Sequence, residues 1–178
     1  MSKSLNDPLL VLARGLIWVL LVVVGLVAVL FAICLPLTLV MPETVFSALL
    51  EPEVTSLPAG AVGMLVGILG FGLLTLLAML YFLKQLFDII GSVAAGDPFV
   101  PANADRLTRM AWTVLGIQVL AVPLGLFQYN LQDVLALEDA IFTISFADNG
   151  LILALVLFIL ARVFRHGTTL RDELEGTV

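Results

Sequence analysis

Catalysis needs ionisable or nucleophilic side chains held close together, and this sequence offers few. There is one histidine, His166, and one cysteine, Cys34. Neither a His-pair metal site, a bis-histidine haem site nor an internal disulfide can be built from them. Cys34 sits in the apolar run FAICLPL and reads as a small buried hydrophobe. The segments GDPFVPAN and RHGTT contain no phosphate-loop pattern, and no nucleophile has a base placed beside it. The sequence therefore assigns no catalytic residue, no cofactor-binding residue and no metal ligand. Asp88, Arg14 and Arg162 lie at similar depth at the ends of long apolar runs, which suggests an ion pair tying helix ends together. Gln118 is the most polar residue inside any apolar run and is expected to hydrogen-bond to a neighbouring helix. His166, just before Gly167, is expected near a helix C-terminus as a partner of the helix dipole.

The elements that position these residues follow from composition. Of 178 residues, 61% are hydrophobic and 12% charged, where soluble domains run at roughly 45–50% and about 25%. So few charges cannot cover a water-soluble surface, and the solvent for most of the chain must be lipid. The same composition excludes disorder, and a net charge of −6 argues against direct nucleic-acid binding. Crossing roughly 30 Å of hydrocarbon at about 1.5 Å per residue requires long apolar stretches. Four candidates emerge, Gly15 to Val40, Ala59 to Leu83, Leu107 to Phe127 and the shorter Asn149 to Phe164. The expected fold is an all-α membrane protein, a single bundle of four transmembrane helices.

Orientation comes from the basic residues. Lys3, Arg14, Lys84, Arg106, Arg109, Arg162, Arg165 and Arg171 all flank one side of these spans. The two loops on the other side carry Glu43, Glu51, Glu53, Asp133, Glu138, Asp139 and Asp148 and no lysine or arginine. The positive-inside rule then places both termini in the cytoplasm.

Within the second span, Gly63 and Gly67 lie four residues apart and form a small-xxx-small surface for helix packing. Past Leu83, apolar residues at helical spacing carry the same helix into the cytoplasm as far as about Ala94. Gly96-Asp97-Pro98-Phe99 breaks it, and Asn103 or Asp105 is expected to cap the third helix. Pro36 and Pro123 are expected to kink the outer halves of their helices. The outer loops suggest a small extracytoplasmic cap, with a short helix over Thr44 to Leu50 and a short strand over Ile141 to Phe146.

Two cytoplasmic segments carry a family resemblance. Gly96, Pro98, Phe99, Asn103, Arg106 and Leu107 fit a Gly-x-Pro-Phe-x-x-x-Asn-x-x-Arg-Leu pattern before the third helix. Phe164, Gly167, Leu170 and Glu173 fit Phe-x-x-Gly-x-x-Leu-x-x-Glu, and Thr177 and Val178 end the chain. On these residues the sequence resembles the uncharacterised bacterial membrane family catalogued as domain of unknown function 2975. The resemblance implies a four-helix protein of the bacterial inner membrane with no assigned activity or cofactor. It also implies genes that often neighbour one for a small helix-turn-helix regulator.

The function expected from these readings is that of a non-enzymatic interaction or regulatory protein. Its partners would be the lipid bilayer and a small cytoplasmic helix-turn-helix regulator, docked on the twelve motif residues of the loop and tail. The alternative is a transport or channel component in which several copies, as a homo-oligomer, or a partner subunit form a path lined by Gln118, Thr75, Thr113 and the glycine-rich face of the second span.

Overall fold

The computed structural model describes residues 8–49, 58–135 and 149–175. The apolar runs form four helices long and apolar enough to cross a membrane, with one short helix between the first two. They are α1 (Pro8–Val40), α2 (Pro42–Leu49), α3 (Ala61–Ala94), α4 (Pro101–Leu135) and α5 (Gly150–Glu175). Proline opens α1, α2 and α4, where the missing N–H costs nothing because the first helical turn has no partner for it. α1 continues through Pro36 and α4 through Pro123.

The long helices pack as a row in chain order, α1 on α3, α3 on α4 and α4 on α5. α1 and α5, at the two ends of the row, present wide apolar faces outward; Leu16, Val23 and Leu30 of α1 and Leu151, Leu155 and Ile159 of α5 are all exposed. An outward face of this kind is stable only against lipid. Arg14, Lys84, Arg106 and Arg162 gather at one end of the row, called the basic end below.

Two apolar cores divide the row along its length. Toward the end away from the charges, Leu65, Ile68 and Leu69 of α3 meet Leu124 and Leu131 of α4, and α2 lies across them with Val45 and Phe46 buried. The loop between the first two spans thus supplies the expected short helix, and its apolar side is part of the core. The Ile141–Phe146 strand expected in the second outer loop lies outside the described residues. Toward the basic end, Ile89 of α3, Leu107, Met110, Ala111 and Val114 of α4, and Ala154, Leu157 and Ala161 of α5 form the second core.

α3 is held from both sides by aromatic rings set on its glycines. A Cβ on Gly67 would lie 2.8 Å from the Phe127 ring of α4, and one on Gly72 would lie 2.6 Å from the Phe31 ring of α1. Five residues separate these glycines, which places them on nearly opposite faces of the helix. The expected Gly63–Gly67 stripe is corrected accordingly. Gly63 is exposed and a Cβ there would meet nothing within 4 Å, so Gly67 works with Gly72, one for each neighbour.

In lipid, helix association rests on such van der Waals contact because lipid tails are as apolar as the side chains. Gly67→Val and Gly72→Val are therefore each expected to lower the unfolding free energy by about 1–3 kcal/mol through overpacking. Gly63→Ala, at an exposed helical position with room for the Cβ, should instead leave it unchanged or raise it by up to about 1 kcal/mol. Detergent titration of the purified protein in mixed micelles, followed by circular dichroism, measures both.

Candidate functional site

The basic end of the row begins where α3 stops. Gly96 adopts a left-handed φ of +86°, a conformation that costs glycine little because it has no Cβ. Its N–H donates to the carbonyl of Val93, and the N–H of Asp97 donates to that of Ser92. This pair of bonds is a Schellman ending that satisfies the last carbonyls of the helix. The next residues turn through Pro98 and Phe99 into Pro101, the first residue of α4.

Asn103 ties this reversal together. Its side chain is fully buried. The amide Nδ2 donates to Ser92 Oγ at 2.6 Å and to the Pro98 carbonyl at 2.9 Å, and Oδ1 accepts from the Arg106 guanidinium at 2.8 Å. Ser92 in turn donates to the Ile89 carbonyl. One side chain thereby joins the last turn of α3, the connecting turn and the first turns of α4. The capping role expected of Asn103 or Asp105 is corrected by this geometry. α4 starts two residues before Asn103, whose amide works backward onto the turn.

The tail of α5 closes over this turn. Gly167 lies beneath the Phe99 ring, where a Cβ would come within 2.9 Å. Phe164 packs on the same ring with centroids 5.5 Å apart, and the Thr168 hydroxyl is shared between the Phe164 carbonyl at 2.9 Å and the Phe99 carbonyl at 3.1 Å. Arg171 pairs with Asp97, and Arg165 with Asp105 at 3.4 Å. Leu107 is buried in the core between the helices. The two sequence segments marked by the resemblance are thus parts of one clasp.

Energetics rank its parts. The two ion pairs are substantially exposed and are worth about 0.2–1 kcal/mol each. Losing a hydrogen-bond partner from a buried amide costs roughly 1–3 kcal/mol. Asn103 and the Phe99–Gly167 contact therefore hold the clasp, and the charges adjust it.

Over residues 39–178 the sequence matches the family described as Protein of unknown function (DUF2975). The chain belongs to this family. The match takes in α2 through α5, including both halves of the clasp, and leaves nearly all of α1 outside. No curated protein and no solved structure matches the chain.

The other expected site residues of this DUF2975 member are distributed differently. Asp88 pairs with Lys84 one turn earlier, at 3.1 Å, and the Arg14 guanidinium lies 4.7 Å above the Phe87 ring. Arg162 faces a groove between α4 and α5. The three-residue ion pair expected of Asp88, Arg14 and Arg162 is thus replaced by a local pair and a cation–π contact. Lys84 stands one helical turn from Asp88, on the same face, whereas the arginines belong to other helices. The Gln118 amide lies against α5, in the space that a side chain on Gly150 would need. His166 lies well inside α5, which continues to Glu175 beyond the expected end at Phe164. Leu170 and Glu173 are exposed on the tail, while Thr177 and Val178 lie outside the described residues. Among the described residues, no three His, Cys, Asp or Glu side chains converge.

Ser92 and Thr168 carry no motif signal of their own in the sequence, and the pairings of Asp97 with Arg171 and of Asp105 with Arg165 are not among the expected contacts. The Asp97–Arg171 pair spans 74 residues and leaves no local pattern. Ser92 could have been found from its helical register on the buried side next to Ile89.

Asn103→Leu is expected to destabilise the protein by about 2–4 kcal/mol, because it orphans groups on three segments at once. It should also expose the α3–α4 turn and the end of α5 to limited proteolysis. Asp97→Asn should cost less than about 1 kcal/mol in the same assay.

Proposed function

We propose that this protein is a non-enzymatic membrane regulator that docks a small cytoplasmic protein on the clasp formed by the α3–α4 turn and the α5 tail. The basic end of the row is the cytoplasmic end, in keeping with the seven Lys and Arg residues found among the described residues. The membrane is the bacterial inner membrane, as the family resemblance suggests. The observation that carries this reading is that two segments far apart in sequence form one surface with apolar groups left outside it. Phe99 is 42% exposed and Leu170 48% exposed, beyond the stretch of α5 that faces lipid. Exposed apolar side chains beside charged ones, such as Arg171 and Glu173, have the composition of a binding surface with a polar rim. A small helix-turn-helix regulator is the partner class that the resemblance suggests; the membrane protein itself would not touch DNA.

The clasp also changes which residues can test the idea. Arg106 and Asn103 hold the turn, so their loss would confound folding with docking. Leu170 is exposed, and nothing in the clasp depends on it. The tagged chain, extracted gently from its native membrane and weighed intact, is expected to carry one small soluble protein. Leu170→Asp should release that protein while leaving the yield and unfolding midpoint unchanged. A chain recovered only as a symmetric homo-oligomer, or a partner retained by Leu170→Asp, would overturn the docking reading.

A further inference from the structure

Between α4 and α5 at the basic end lies an open groove of about 450 Å³. Arg162, Arg165, His166 and Thr169 line one wall, and Thr108 of α4 stands opposite. On α5 these four residues fall at i, i+3, i+4 and i+7, a single helical face. Among the described residues, Arg162 and His166 have no side-chain partner, and the Asp105 carboxylate engages only Arg165, at 3.4 Å with both groups exposed. The groove therefore holds excess positive charge.

Its surroundings identify what that charge would meet. Phe158 and Ala161 form the apolar end of the groove. Beyond them, away from the basic end, the surface continues as an uncharged strip with Trp112 and Val119 on α4 and Leu155 on α5, each at least 60% exposed. Trp112 packs edge-on against Phe158, which joins the groove to this strip. Arg162 is the first charged residue met along α5 from Gly150. The groove thus sits where the lipid-facing surface of α5 gives way to charge, the level of the phospholipid headgroups.

We infer that this groove binds an anionic phospholipid, with the phosphate held by Arg162 and Arg165 and an acyl chain lying along Trp112, Val119 and Leu155. Guanidinium groups match phosphate oxygens in paired hydrogen bonds, while the Thr108 and Thr169 hydroxyls donate to the Ala104 and Arg165 carbonyls of their own helices and only line the walls. The phosphate competes with the Asp105 carboxylate for Arg165, and that pair is weak because both members are hydrated. A free phosphate ion would satisfy the arginines and leave the apolar strip unused, so the lipid is the occupant that fits both parts. The inference is independent of any protein docked on the clasp.

The test is native mass spectrometry of the full chain in a neutral detergent, with phosphatidylglycerol, phosphatidylcholine or inorganic phosphate added in separate samples. Phosphatidylglycerol should be retained and phosphatidylcholine lost at the same activation energy. Two cations near a membrane surface imply that Arg162→Gln with Arg165→Gln weakens retention about 30-fold. Lys84→Gln, which removes a cation from α3, should have no effect. Thr169→Glu brings a carboxylate to an exposed position in the groove and should weaken binding in the same direction, which keeps the test open should the double variant fail to fold. Equal retention of both lipids would overturn the inference. So would unchanged phosphatidylglycerol binding in the variants, or inorganic phosphate bound where phosphatidylglycerol is not.

Discussion

The amide of Asn103 is the constraint on which the rest of the basic end depends. A helical hairpin in a membrane must turn its backbone where water begins, and the polar groups of that turn need partners that do not wander. Asn103 supplies them from inside the next helix by donating back to Ser92 and Pro98 while accepting from Arg106. With the turn fixed, Phe99 presents its ring and its carbonyl at defined positions, and Gly167 and Thr168 of α5 can meet both. Remove the amide and the landing place for α5 moves with the turn.

The row has a division of labour along its length. α4 meets α3 throughout, but its other neighbours change. Near one end α2 covers the α3–α4 core with Phe46, and near the basic end α5 covers it with Ala154, Leu157 and Ala161. Small residues at the α4–α5 contact let the helices approach closely, the same device that Gly67 and Gly72 provide on α3. Gln118 marks the point where α5 begins against α4, its amide lying on a glycine that has no side chain to displace it.

How much of this could be read from the sequence depended on how local the signal was. The long helices were legible because twenty apolar residues in lipid have one stable backbone solution. The extension of α3 to Ala94 and the short helix after Pro42 also followed from local spacing and from proline. The partners were harder. Gly63 and Gly67 share a face on paper, yet packing uses Gly67 and Gly72 because α3 has a neighbour on each side. Asp88 found Lys84 because a residue one turn away on the same helix is always nearby, whereas a match across helices depends on their rotation. α5 runs past Phe164 because Arg165, His166 and Arg171 are acceptable helix residues once they face water, a fact that hydropathy alone does not reveal. The clasp was visible only as two separate motifs, since no spacing rule connects Phe99 with Thr168.

That separation fixes an order of events during biosynthesis. Everything Asn103 joins lies between Ile89 and Arg106, so the hairpin turn can close as soon as α4 has been made. Phe99 must wait for Thr168, 69 residues later. At ribosomal speeds of about 5–20 residues per second, that is an interval of roughly 3 to 14 s. During it the side of the Phe99 ring that Phe164 and Gly167 later cover stands open beside a finished turn, and a quality-control factor that senses that side has those seconds in which to tell a nascent chain from a completed one.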